Sequence, residues 1–72
     1  MRTTSDAIEA ARVAAGLSKR KLAESAGMVP STLIRKLRGD FPFDVDEVAA
    51  IAQALNCPIA DLWPEPNGGT AA

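Results

Sequence analysis

The chain has 72 residues, 47% of them hydrophobic but only three aromatic (Phe41, Phe43 and Trp63), which is room for one domain with a core of Ala, Val, Leu and Ile. It has no His and a single cysteine, Cys57, which excludes imidazole acid–base chemistry, an intramolecular disulfide and the usual metal-ligand sets. The formal net charge of −1 hides a split: all eight basic residues (Arg2, Arg12, Lys19, Arg20, Lys21, Arg35, Lys36, Arg38) fall within positions 1–39, opposed there only by Asp6, Glu9 and Glu24. Positions 40–72 hold Asp40, Asp44, Asp46, Glu47, Asp61 and Glu65 and no base. Such asymmetry points to one end that faces a polyanion, with charges that only solvate helix surfaces as the alternative. No stretch approaches the roughly 20 apolar residues of a membrane span, and Met1–Asp6 lacks the apolar run of a signal peptide.

Five helical segments follow one another with no strand-like alternation. The first is expected to start near Ser5 or Asp6, with Asp6 and Glu9 as a capping box, and to bury Ile8, Ala11 and Ala15 before Gly16 ends it. Ser18 caps the second, Lys19 to Ala26, whose Leu22, Ala23 and Ala26 repeat at helical spacing and which stops at Gly27. Pro30 opens the third, a position where proline fits the first turn, and Gly39 stops it after Arg38. Asp44 caps the fourth, with Glu47 as the reciprocal box residue and Phe43 and Val48 as a hydrophobic staple. Its expected core stripe is Val45, Val48, Ala49, Ala52 and Leu55, and Asn56 closes it. Pro58 opens a short fifth helix with Ile59, Leu62 and Trp63. From Pro64 onward the composition reads as a flexible C-terminal tail, 64–72, after a domain spanning 1–63.

Only Gly27, Met28 and Val29 join the second and third helices, the spacing of a helix-turn-helix. That motif needs a small residue where the helices cross (Ala23), a turn at positive φ (Gly27) and apolar anchors (Leu22, Met28, Leu33). An ordinary αα-hairpin is the alternative. Projected at about 100° per residue, the third helix turns Leu33, Leu37 and Pro30 inward and Ser31, Arg35 and Arg38 outward. Arginine is the commonest bidentate reader of guanine in the major groove, and serine bonds several bases or phosphate. Thr32 and Lys36 lie to one side, toward phosphates. Ile34 lies on the boundary, suited either to a thymine methyl or to core packing. The helix macrodipole alone favours Arg35, Lys36 and Arg38 near a C-terminus, but it disfavours Lys19, Arg20 and Lys21 at the start of the second helix. Phosphate accounts for those cations, since the N–H groups there also face anions.

With Gly16-Leu17-Ser18, Leu22-Ala23-Glu24, Ala26-Gly27-Met28, Ser31-Thr32-Leu33, Arg38-Gly39 and Ala54-Leu55-Asn56-Cys57-Pro58-Ile59 as landmarks, residues 5–63 resemble the lambda-repressor/Cro-like (Xre-type) helix-turn-helix proteins. The resemblance implies an all-α, compact five-helix domain with the third helix in the major groove and Lys19 clamping a phosphate. It further implies that Pro30, Ser31, Ile34 and Arg35 face bases, and that Arg12, Thr32 and Arg38 meet the DNA backbone. The chain departs from the family pattern at Val29, where a Ser, Thr or Gly usually caps the third helix, at Pro30, in place of a polar reader, and at Lys36, in place of a core residue whose part Leu37 takes.

The function expected is a sequence-specific double-stranded DNA-binding regulator, a repressor with activator as the alternative, working as a homodimer in the cytoplasm on the nucleoid. Ile59, Leu62 and Trp63 are the candidate dimer surface, with Trp63 as a lid on the monomer core the alternative and Val13 a lesser candidate. A protein-interaction module, such as an antitoxin or a regulator's partner, is the competing function, favoured by the acidic half. An enzyme is not expected: there is no triad and no Gly-rich phosphate loop, Asp44 and Glu47 form a cap, and Cys57 beside Pro58 reads as a small apolar residue. No cofactor, metal, small-molecule ligand or membrane partner is expected.

Overall fold

The computed structural model describes residues 3–63; the expected tail, 64–72, and Arg2 lie outside the described residues. The helices are α1 (Thr4–Ala15), α2 (Lys19–Ala26), α3 (Pro30–Leu37), α4 (Val45–Leu55) and α5 (Ile59–Leu62). Among the described residues there is no strand. α2 packs against both α3 and α4, α1 touches α3, α4 and α5, and α5 closes onto α4.

Three helix starts have a side-chain acceptor. The Thr3 hydroxyl accepts from the Asp6 N–H at 3.1 Å while the Asp6 carboxylate accepts from the Thr3 N–H at 3.3 Å, so α1 begins earlier than expected and the box is Thr3 with Asp6, not Asp6 with Glu9. Ser18 accepts from the Lys21 N–H at 3.0 Å, and Asp44 and Glu47 form the expected reciprocal box. Val29 gives α3 no side-chain cap.

Three helix ends, those of α1, α2 and α4, share one solution. Gly27 sits at φ 74°, its N–H bonds the Glu24 carbonyl, and the Met28 N–H reaches back to the Ala23 carbonyl at 2.8 Å. The same pair of bonds closes α1 (Gly16 and Leu17) and α4 (Asn56 and Cys57), with Asn56 left-handed at φ 57°. This end satisfies carbonyls the helix leaves open and aims the next side chain at the core. Leu17, Met28 and Cys57 are indeed the partly buried side chains packed there.

The core comprises Ala7, Ile8, Leu22, Ala23, Leu33, Val48, Ile51, Ala52 and Leu62. Ala15, Val45 and Ala49, expected inward, are exposed, and Ile51 takes the inward place. Val48, Ile51, Ala52 and Leu55 keep the i, i+3, i+4, i+7 spacing of one face; Val45, the first residue of α4, is 60% exposed at its end. Leu62 is buried, which removes it from any pairing surface on this fold.

The bare start of α3 yields a direct test. Val29 is 62% exposed with extended backbone, φ −71° and ψ 129°, so Val29→Ser places an acceptor there at little packing cost. The substitution should raise stability by about 1 kcal/mol, the usual worth of an N-cap, read as a shift in urea midpoint at constant m. An unchanged or lower midpoint would show that the first N–H groups of α3 need no cap.

Candidate nucleic-acid interface

The buried Leu33 anchors α3 to the fold, with Leu37 packed beside it. Ser31, Thr32, Ile34, Arg35 and Arg38 are exposed, and Pro30 is half-buried at the first helical position. The outward arc expected from the helical projection is therefore present, with Ile34 at 36% exposure within it. Among the described residues no carboxylate pairs with Arg35. Arg38 lies 3.3 Å from Asp40, with both side chains exposed. A pair in that setting is worth at most about 1 kcal/mol and yields readily to a phosphate.

At the start of α2, Lys19, Arg20 and Lys21 are all exposed. No acid occupies the first turn of that helix. Arg20 is 4.0 Å from Glu24, one turn on, with both side chains exposed, while Lys19 and Lys21 have no ion-pair partner among the described residues. Three cations thus stand at the positive end of a helix dipole, an arrangement that costs free energy without an anion.

Two expected phosphate residues are engaged inside the fold. The Arg12 guanidinium binds both carboxylate oxygens of Glu9, at 2.8 and 3.3 Å, and donates to the Leu17 carbonyl at 2.6 Å. With a side chain only 16% exposed, Arg12 ties down the end of α1; the hydrogen bond to Glu9 raises its pKa against the opposing effect of burial. Lys36 places its ammonium between both carboxylate oxygens of Glu47 on α4, and the two side chains are 15% and 21% exposed. Both cations are held in partly buried pairs, so reaching DNA would mean breaking one. Glu47 therefore has a second role beyond the cap legible in the sequence: a lysine flanking the inward face of α3 takes its acid from another helix.

The remaining chemistry-bearing groups are quiet. Among the described residues no group of acids, Cys or His could hold a metal ion. The Cys57 thiol has a raised pKa, from burial first and the nearby Asp61 charge second, which keeps it protonated and poorly nucleophilic at neutral pH. At the far end, Ile59 and Trp63 are 39% and 37% exposed while Leu62 between them is buried. Val13 on α1 is 64% exposed. No helix among the described residues is long and apolar enough to cross a membrane.

In comparison with known proteins, the helix-turn-helix family model matches residues 8–62, from within α1 to the end of α5. Nothing among curated proteins or solved structures matches the chain. The matched span takes in most of the chain, including every anchor of the α2–α3 turn and the whole exposed arc of α3, so the chain belongs to the lambda-repressor/Cro-like, Xre-type helix-turn-helix family of DNA-binding regulators.

Proposed function

We propose that the chain is a sequence-specific double-stranded DNA-binding repressor that lays α3 in the major groove. The observation that carries this reading is the outward arc of α3: Ser31, Ile34 and Arg35 exposed, with no acid against Arg35 among the described residues. In the major groove, a guanidinium free of an internal partner donates two bonds to one guanine, and an aliphatic side chain beside it meets thymine methyls. Pro30 contributes shape only, having no N–H and no polar side chain. Lys19, Arg20, Thr32 and Arg38 hold the backbone, and Arg12 and Lys36 leave the contact set. Occupying the groove excludes other proteins from the same duplex segment, which is the simplest route to repression.

Two substitutions separate reading from holding. Arg35→Ala should cost about 1–3 kcal/mol at the preferred site and relax preference at one base-pair position. Lys19→Ala should weaken all duplexes alike and lower the slope of log K against log salt by about 0.9, one phosphate's worth. Binding titrations on a selected and a random duplex at several salt concentrations check both. An Arg35→Ala protein that selects an unchanged motif contradicts the assignment of the reading face. Failure of the wild type to bind any duplex at low salt favours the protein-partner reading, for which the exposed acids Asp40, Asp44, Asp46 and Asp61 are the supporting observation.

The exposed Ile59 and Trp63 form the pairing surface in this account. One recognition helix spans too few base pairs for genomic specificity, and two-fold pairing sets half-sites about 34–36 Å apart. Because Trp63 follows α5 and more than a third of it is exposed, Trp63→Ala should keep the helical spectrum and turn a dimer into a monomer in sedimentation. Loss of folding in that variant supports the lid instead.

A further inference from the structure

We infer that the Lys36–Glu47 pair sets the rotation of α3 on the fold, which makes both residues positioning residues for sequence discrimination. The inference rests on the reading of α3 as the recognition helix. α3 has eight residues and one fully buried side chain, Leu33. Apolar burial is non-directional, so this anchor, with Leu37 only partly buried beside it, leaves a short helix free to roll by a fraction of a turn, and any roll swings Arg35 and Ser31 along the groove. A second, directional fixed point removes that freedom.

Lys36 supplies it. Its ammonium, one turn on from Leu33, is held by both carboxylate oxygens of Glu47. Glu47 is itself immobilised: its carboxylate accepts from the Asp44 N–H at 3.0 Å and its own N–H donates to the Asp44 side chain at 2.8 Å. The carbonyl of Lys36 accepts from the Ser5 hydroxyl at 3.2 Å and from the Gly39 N–H at 3.0 Å. One residue of α3 is thus tied to α1, to α4 and to the turn that follows, immediately beside Arg35. A partly buried ion pair is a poor source of net stability, since apolar replacements of similar size often do as well. What it supplies beyond a methylene stem is direction.

The test uses the full chain, a duplex bearing the motif that the wild type selects from a random pool, and a random duplex of equal length. Wild type, Lys36→Met, Glu47→Gln, the double variant and Lys36→Arg are compared at a temperature where circular dichroism shows each fully folded. Gln at 47 preserves the capping-box hydrogen bond while removing the charge. Each neutralising single variant is expected to lower the ratio of selected to random affinity about tenfold, within the range of measured pair couplings. Random-duplex affinity and salt slope should stay unchanged. The double variant should be no worse than either single, and Lys36→Arg should stay within about threefold of wild type. If Lys36→Met fails to fold, Glu47→Gln reads the same ratio with the cap intact.

Lys36 would instead be a phosphate ligand if Lys36→Met flattened the salt slope or Glu47→Gln tightened binding to both duplexes, and either result overturns the inference. An unchanged ratio in both single variants reduces the pair to a structural contact and overturns it equally. A wild type that binds neither duplex removes the recognition reading itself, and this inference with it, a result distinct from binding with an unaltered ratio.

Discussion

The angle between α2 and α3 is the constraint on which everything else in this molecule depends. It is set by contact at a crossing where Ala23 is fully buried beside Leu22 and Leu33, so a larger side chain at 23 would push the helices apart. It is also set by the turn: Gly27 in the left-handed region sends the chain back across α2, and the Met28 N–H locks that reversal onto the Ala23 carbonyl. A non-glycine residue at that φ costs about 1–2 kcal/mol, a large share of the stability of a small domain. With the angle fixed, Leu33, with Leu37 packed beside it, turns one side of α3 inward, and Arg35, two positions on from Leu33, points outward.

Charge is distributed in a way the net value of −1 conceals. Two cations, Arg12 and Lys36, are consumed by Glu9 and Glu47 in partly buried pairs that organise α1 and α3. Two more, Arg20 and Arg38, sit in exposed pairs with Glu24 and Asp40 that water and salt largely screen. Lys19, Lys21 and Arg35 have no such partner among the described residues. The positive potential that a duplex would meet comes from this last group and from arginines whose weak pairs can be exchanged. Of the acids, Asp61 belongs to α5, whereas Asp44 and Asp46, at the start of α4, line a groove with Val29 and Thr32 at the start of α3.

Legibility in the sequence followed the range of the interaction. Starts and stops governed by neighbours three or four residues away were readable: Ser18, Gly27, Asp44 with Glu47, and Asn56 all act as their residue types require. The start of α1 was not, because Thr3 and Asp6 both suit a cap with an acid three residues on; Thr3 takes it, and the first turn is tethered through Ser5 to the Lys36 carbonyl. The stripe of α4 was shifted because Val45 stands at the helix end, while Ile51 faces the core. In the candidate site, a projection of α3 alone placed Arg35 outward correctly. It had no means of showing that Lys36, beside the inward face, meets an acid eleven residues away, or that Arg12 turns back on its own helix end. Leu62, judged with two neighbours as one apolar surface, is separated from them by burial that only tertiary packing determines.

The central claim is that the outer arc of α3 meets base edges in the major groove, and intermolecular nuclear Overhauser effects test it most directly. A complex of the chain with its selected duplex should give cross-peaks from the Ile34 methyls and the Arg35 side-chain methylenes to thymine methyl, cytosine H5 and other major-groove protons. None should arise from exposed α4 side chains such as Val45 and Ala49. Cross-peaks from α4 to the duplex, or none from α3 in a tight complex, would contradict the account.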